Sequence, residues 1–296
     1  MTLQVAMEKL PKMDWNVLYK EWQSSFVSYN NIGDCPYTSL IDLLDLNENL
    51  FINSNTKVVS INLTDCKSTM LREAIYLAHK AGALLRSYSR DIESNDQTYA
   101  EISAYTASFF LARSITILLG CFMATSKFGK SFWLVDGRNN KGKSSVRMIS
   151  IGSSSPGHKG TWSLFKHLVV NTTNNPFDKE FNSFVGGMPS EDFAKIRNSI
   201  QYTNCSWIYD DLHYFDEDSK DWIEPFSVET YTNADPNDST GHFSVILSLM
   251  LFRNFDLMLK SICSDNNNIL LREREIILEN IQFCDDSLKS NSWIKY

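Results

Sequence analysis

No C-x-x-C pair occurs among the six cysteines of this chain, at positions 35, 66, 121, 205, 263 and 284. Several lie in apolar runs, where a thiol behaves as a small hydrophobe. That excludes a zinc ribbon and a disulfide framework, and it points to reduced thiols in a cytoplasmic protein. Also missing are the G-x-S-x-G and H-E-x-x-H strings and any Cys/His ligand spacing. The sequence therefore offers no hydrolase elbow and no metalloprotease centre, and no metal or cofactor is expected. Met1 to Pro11 lacks a long apolar stretch, so no secretory signal is expected there. Repeats and low-complexity linkers are absent. One run is long enough to cross a bilayer, Ala104 to Ala124, but Arg113 stands at its centre. A charge there costs roughly 2.5 to 3.5 kcal/mol on insertion scales, so a buried core helix is expected instead, and no membrane contact.

What is present suffices for a large core: 43% of the 296 residues are hydrophobic and 12% aromatic. Ahead of residue 66 stand Trp15, Tyr19, Trp22 and Phe26, a turn at Gly33 to Pro36, an apolar run Leu40 to Leu46 and a strand-like Lys57 to Leu63. We read these as a small mixed N-terminal subregion, 1–65. From Lys67 the pattern turns helical, with Leu71, Ala74, Ile75, Ala78 and Leu85 on one face. A second helix is expected to open on the capping box Thr98 to Glu101 and to run to about Met123. Phe132 to Val135 and Val146 to Ile149 read as strands around a Gly/Asn/Lys turn, a β-hairpin at about 131–151. Helical periodicity returns in Trp162 to Val170, after Ser190, and in Ser239 to Cys263 and Ile269 to Leu288. The expected fold is mainly α: a helical bundle, 66–296, with an inserted β-hairpin and the mixed subregion before it.

Gly137 to Ser144 matches the phosphate-binding P-loop letter for letter. Such a loop needs a helix N-terminus behind it to face the phosphates. Here Ser145 to Ile151 alternates like a strand, so a basic turn is expected rather than a nucleotide site. The turn belongs to a wider pattern. From Lys127 to Phe177 eight Lys or Arg stand against the single acid Asp136, a net charge of +7, which leaves −14 on the rest of the chain. Phe132, Trp133 and Trp162 interleave with these charges. Lys130, Arg138, Lys141, Lys143, Arg147 and Lys159 are thus candidates for tracking a nucleic-acid backbone, with rings available for stacking. A basic face that docks an acidic protein partner fits the same pattern.

A third string, Ile196-Arg197-Asn198-Ser199-Ile200-Gln201-Tyr202, follows Ser190, Glu191 and Asp192. Asn198 and Tyr202 are four apart and share a helical face, with Arg197 at its edge. In this string the chain resembles the HEPN superfamily, helical bundles whose signature is Arg-Asn followed by three variable residues and His. The helix carrying Tyr99, Tyr105, Phe109, Phe110 and Arg113 is similar to that family's second helix, and the resemblance covers about Lys67 to Ser206 and the helix after it. It implies a homodimer in which Arg197 binds the scissile phosphate of RNA, Asn198 organises the pocket and cleavage proceeds without metal. It also implies a place in a toxin or anti-phage defence system. Tyr202 stands where the family has His, and an unperturbed phenol titrates at about 10, far above imidazole. Two functions are therefore expected from the sequence: an RNA-binding protein, active as a ribonuclease, or a non-enzymatic subunit that binds a protein partner. Of the remaining groups, Asp210 to Asp221 read as a solvated acidic loop, His79 as a structural histidine and His158 as a loop residue.

Overall fold

A computed structural model of the chain describes residues 3–8, 10, 12–25, 31–35, 37, 39–46, 60–62, 65–93, 96–126, 129–135, 145–152, 157–189, 192–193, 195, 242–263 and 268–282. Within them the protein is mainly helical. Short helices α1 (Leu3–Met7), α2 (Trp15–Gln23) and α3 (Leu40–Leu46) and a strand β1 (Ser60–Asn62) come first. Two long helices follow, α4 (Cys66–Glu93) and α5 (Gln97–Leu118). Strands β2 (Cys121–Ser126), β3 (Gly129–Val135) and β4 (Ser145–Gly152) lead into α6 (Gly157–Asn171) and α7 (Lys179–Gly187). Helices α8 (His242–Ile262) and α9 (Asn268–Gln282) complete the bundle.

Helices α4 and α5 form an antiparallel pair built on small residues. Ala74, Ala78 and Ala81 of α4 and Ala100, Ala104, Ala107 and Ala112 of α5 are all buried. With so little side chain between them the backbones approach closely enough for Ser114 Oγ to donate to the Ala74 carbonyl at 2.6 Å. Helix α8 lies against the other side of α5, where Ser248 Oγ donates to the Ala104 carbonyl at 2.6 Å. Helix α9 packs on α4, and His79 meets Glu273 there at 2.8 Å, which gives that histidine a structural partner. The N-terminal elements share this core. Trp22, fully buried, donates its indole N–H to the Leu118 carbonyl at 2.8 Å, and Trp15 donates to Ser261 Oγ at 3.1 Å. Asp14 caps α2 by accepting the Asn16 N–H.

Helix α5 departs from the sequence expectation at both ends. Asp96, not Thr98, is its N-cap, accepting the Tyr99 N–H; Thr98 is buried. Its C-terminus comes at Leu118 rather than Met123, because Gly120 takes φ 84°, a left-handed conformation open to glycine. Cys121 to Ser126 then turns into a strand paired with β3. The sheet has the order β1-β4-β3-β2, all neighbours antiparallel.

Candidate nucleic-acid interface

Helix α6 runs alongside α5 in the same direction. Tyr105 meets His158, Phe109 meets Trp162, and Arg113 and Thr116 border a cavity with Thr161 and Leu164. Partner numbers rise together, which defines a parallel pair. The chain reaches this arrangement by returning through three strands, and α6 opens at Gly157, whose φ of 50° suits glycine. A Cβ on Gly157 would meet nothing within 4 Å, so the requirement is conformational rather than steric.

At the start of α6 stands a compact polar and aromatic cluster. Trp162 Nε1 donates to Tyr105 Oη at 3.2 Å, and the same hydroxyl lies 3.1 Å from His158 Nδ1. A phenol that accepts from indole has its own proton left to donate. The neutral imidazole then accepts at Nδ1 and carries its proton on Nε2. Phe109 stacks on the His158 ring at 4.2 Å between centroids. The imidazole is half-buried, and its neighbour Lys159 is exposed. The first turn of α6 contains no acid, so His158 and Lys159 sit at the end of a helix whose dipole favours anions.

Two turns further along α5, about 12 Å from Tyr105 at 1.5 Å per residue, Arg113 lines a cavity of about 20 Å³ with Thr116, Ile117, Cys121, Phe122 and Thr161. That volume is enough for one water molecule. Burial pushes the Arg113 guanidinium below its usual range, and the charge of Glu73 opposes the shift.

The structure distributes the residues expected from sequence unevenly. Lys130 stands in β3 opposite Gly152, the last residue of β4, and α6 begins five residues later. Lys130 and Lys159 therefore flank the same short connection. Arg147 stands in β4 between Leu134 and Ser60, four residues along β3 from Lys130 or about 13 Å. Arg138, Lys141 and Lys143 lie outside the described residues, as do Arg197, Asn198, Tyr202 and the cap at Ser190. The strand β4 follows the P-loop string directly, so no helix N-terminus backs it. Phe193 is described, and its ring stacks on Trp162 at 4.6 Å. Phe193, four residues before Arg197 in the sequence, thereby contacts the Tyr105 and His158 cluster through Trp162.

His158 is a helix residue with a partner on α5, not a loop residue. Two signals in the sequence bear on it: Tyr105 and Phe109 are four apart, and so are His158 and Trp162. Among the described residues no group of three or more His, Cys, Asp or Glu is placed to hold a metal ion. No described helix is long and apolar enough to cross a membrane. No family model matches the chain, and comparison with curated proteins and with solved structures returns no match.

Proposed function

We propose that the chain binds RNA or another nucleic acid through the segment from Lys127 to Phe177, with the first turn of α6 as its described contact point. One observation carries this reading. An imidazole fixed by Tyr105 and stacked on Phe109 stands beside an exposed lysine, at a helix start without acids. A backbone phosphate placed there accepts from Nε2–H and from the Lys159 ammonium, at a helix end whose dipole favours an anion. Lys130 and Arg147, in neighbouring strands of the sheet, extend the basic track, and Arg138, Lys141 and Lys143 belong to the same basic segment of the sequence.

The binding test is anisotropy of a labelled single-stranded RNA at two salt concentrations. Affinity is expected to fall steeply with salt, with a slope of about −0.7 per phosphate contact. Lys159→Glu is expected to weaken binding and flatten that slope, and His158→Ala to weaken it further. Salt-independent affinity, or affinity indifferent to both changes, would refute the reading and favour an acidic protein partner for the same face.

A narrower reading is metal-independent RNA cleavage by a homodimer, with Arg197 on the phosphate and Asn198 and Tyr202 beside it. The stacking of Phe193 on Trp162 favours it, because it joins the start of that segment to the cluster. In this scheme Arg197→Ala abolishes cleavage in the presence of a chelator and leaves the melting temperature unchanged. Cleavage that needs a divalent cation, or that survives Arg197→Ala, counts against it.

A further inference from the structure

Arg72 lies in the second turn of α4, at 4% exposure. Its Nη1 donates to the Cys35 carbonyl at 3.1 Å. The Cys35 thiol in turn lies 3.3 Å from Thr69 Oγ1, which places the guanidinium against the first turns of α4. Its Cζ lies over the Tyr76 ring, 5.9 Å from the ring centre. The other two nitrogens, Nε and Nη2, are out of contact with solvent and have no hydrogen-bond partner among the described residues.

Those two nitrogens belong to one edge of the guanidinium, the edge whose parallel N–H groups match an oxyanion. The same protein uses that edge twice elsewhere. Arg274 holds Asp256 with Nε and Nη2, and Arg253 holds Asp178 the same way, at 2.7 and 3.5 Å. In both cases a carboxylate fills the fork. At Arg72 the fork is built, oriented and buried, yet no described carboxylate meets it. A buried guanidinium with two unmet donors carries a desolvation penalty that natural interiors avoid. The start of α4 adds to the pull on an anion: its first turn has no acid, and long side chains on a helix lean toward the N-terminus.

We infer that Arg72 anchors an oxyanion site under the Cys35 turn, taking a group that presents two oxygens on one edge, a carboxylate or a phosphate. The group comes either from a small anion in solution or from an acidic side chain of the protein itself. Lys67 does not compete for it, being paired with Glu21.

The test uses the full chain, dialysed into chloride buffer and melted with increasing inorganic phosphate or acetate at fixed ionic strength, alongside a crystal structure. A Tm that rises with the anion in the wild type and not in Arg72→Met assigns the site to a free oxyanion. An unresponsive Tm, with an Asp or Glu carboxylate seen on Nε and Nη2, assigns the same site to an internal partner. An unresponsive Tm with only water or nothing on the fork overturns the inference. So does an Arg72→Met protein that melts at or above the wild type in saturating phosphate or acetate, because removing an unpaired buried charge relieves strain whereas removing a paired one does not. The wild-type measurements stand even if the variant fails to fold.

Discussion

His167, on α6, is half-buried, and that burial holds its imidazole below the usual value. A lowered folded-state pKa means that the unfolded chain binds the proton more readily. The contribution to stability is therefore complete above the unfolded pKa of about 6.5 and is lost as pH falls through the folded value. We predict that the Tm declines from pH 7.5 toward 5.5 and that His167→Gln makes this decline shallower; an equal slope in both proteins refutes the assignment. At this scale the sequence was informative about some histidines and silent about others. His79 reads as structural from its place in an apolar helix, and Glu273 is its partner. His158 reads as a loop residue because Pro156 and Gly157 precede it. Its role depends on Tyr105, 53 residues away, and no local pattern marks a contact at that separation. Cys66 illustrates the opposite case. Burial raises its thiol to about 12, as expected of an inert buried thiol, although its sequence neighbours Asp65 and Lys67 are charged.

Elements with strong periodicity were legible, and boundaries inside uniformly apolar stretches were not. The α4 pattern of Leu71, Ala74, Ile75 and Ala78 marks a buried face, and all four are buried. From Leu118 to Met123 every residue but Gly120 is apolar, so a helix and a doubly covered strand fit the sequence equally well there. The decision rests on Gly120, whose left-handed backbone stops α5 and sends the chain into β2. Gly120→Ala is expected to lose about 1 to 2 kcal/mol, measured as a lower urea midpoint with an unchanged slope. A midpoint equal to that of the wild type would mean that β2 pairing alone sets the boundary. The capping box at Thr98 was a false start signal for a similar reason: Asp96 lies two residues upstream and accepts from Tyr99 N–H first.

For the molecule as a whole, the decisive connections are long-range and were not readable from composition. Trp22 of α2 reaches the last turn of α5, and Trp15 reaches α8. Thr173, just past α6, exchanges backbone hydrogen bonds with Met13 and Trp15 at 3.0 Å each. The N-terminal helices thus clamp three separate parts of the bundle. Trp22→Phe keeps most of the buried ring but leaves the Leu118 carbonyl without its donor. We expect a loss of about 1 to 3 kcal/mol in chemical denaturation, and a loss below that range would show that the carbonyl finds another donor. The charge asymmetry of the sequence is a global property too, but its spatial form is local. Lys130 pairs with Gly152 at the end of the sheet nearest in sequence to Lys159, and β3 ends at Val135.

The parallel run of α5 and α6 has a consequence in counting. To start a second helix beside Tyr105, the chain must travel back along α5 by 13 residues, about 20 Å. A single extended strand of six or seven residues covers that distance. Three strands cover it equally well, because two of them cancel. The return path is therefore satisfied by any odd number of strands, and a pair of strands is a unit that evolution can insert, lengthen or delete without moving either helix. The most basic stretch of the protein occupies such a unit, which leaves its charge free to change while the core stays as it is.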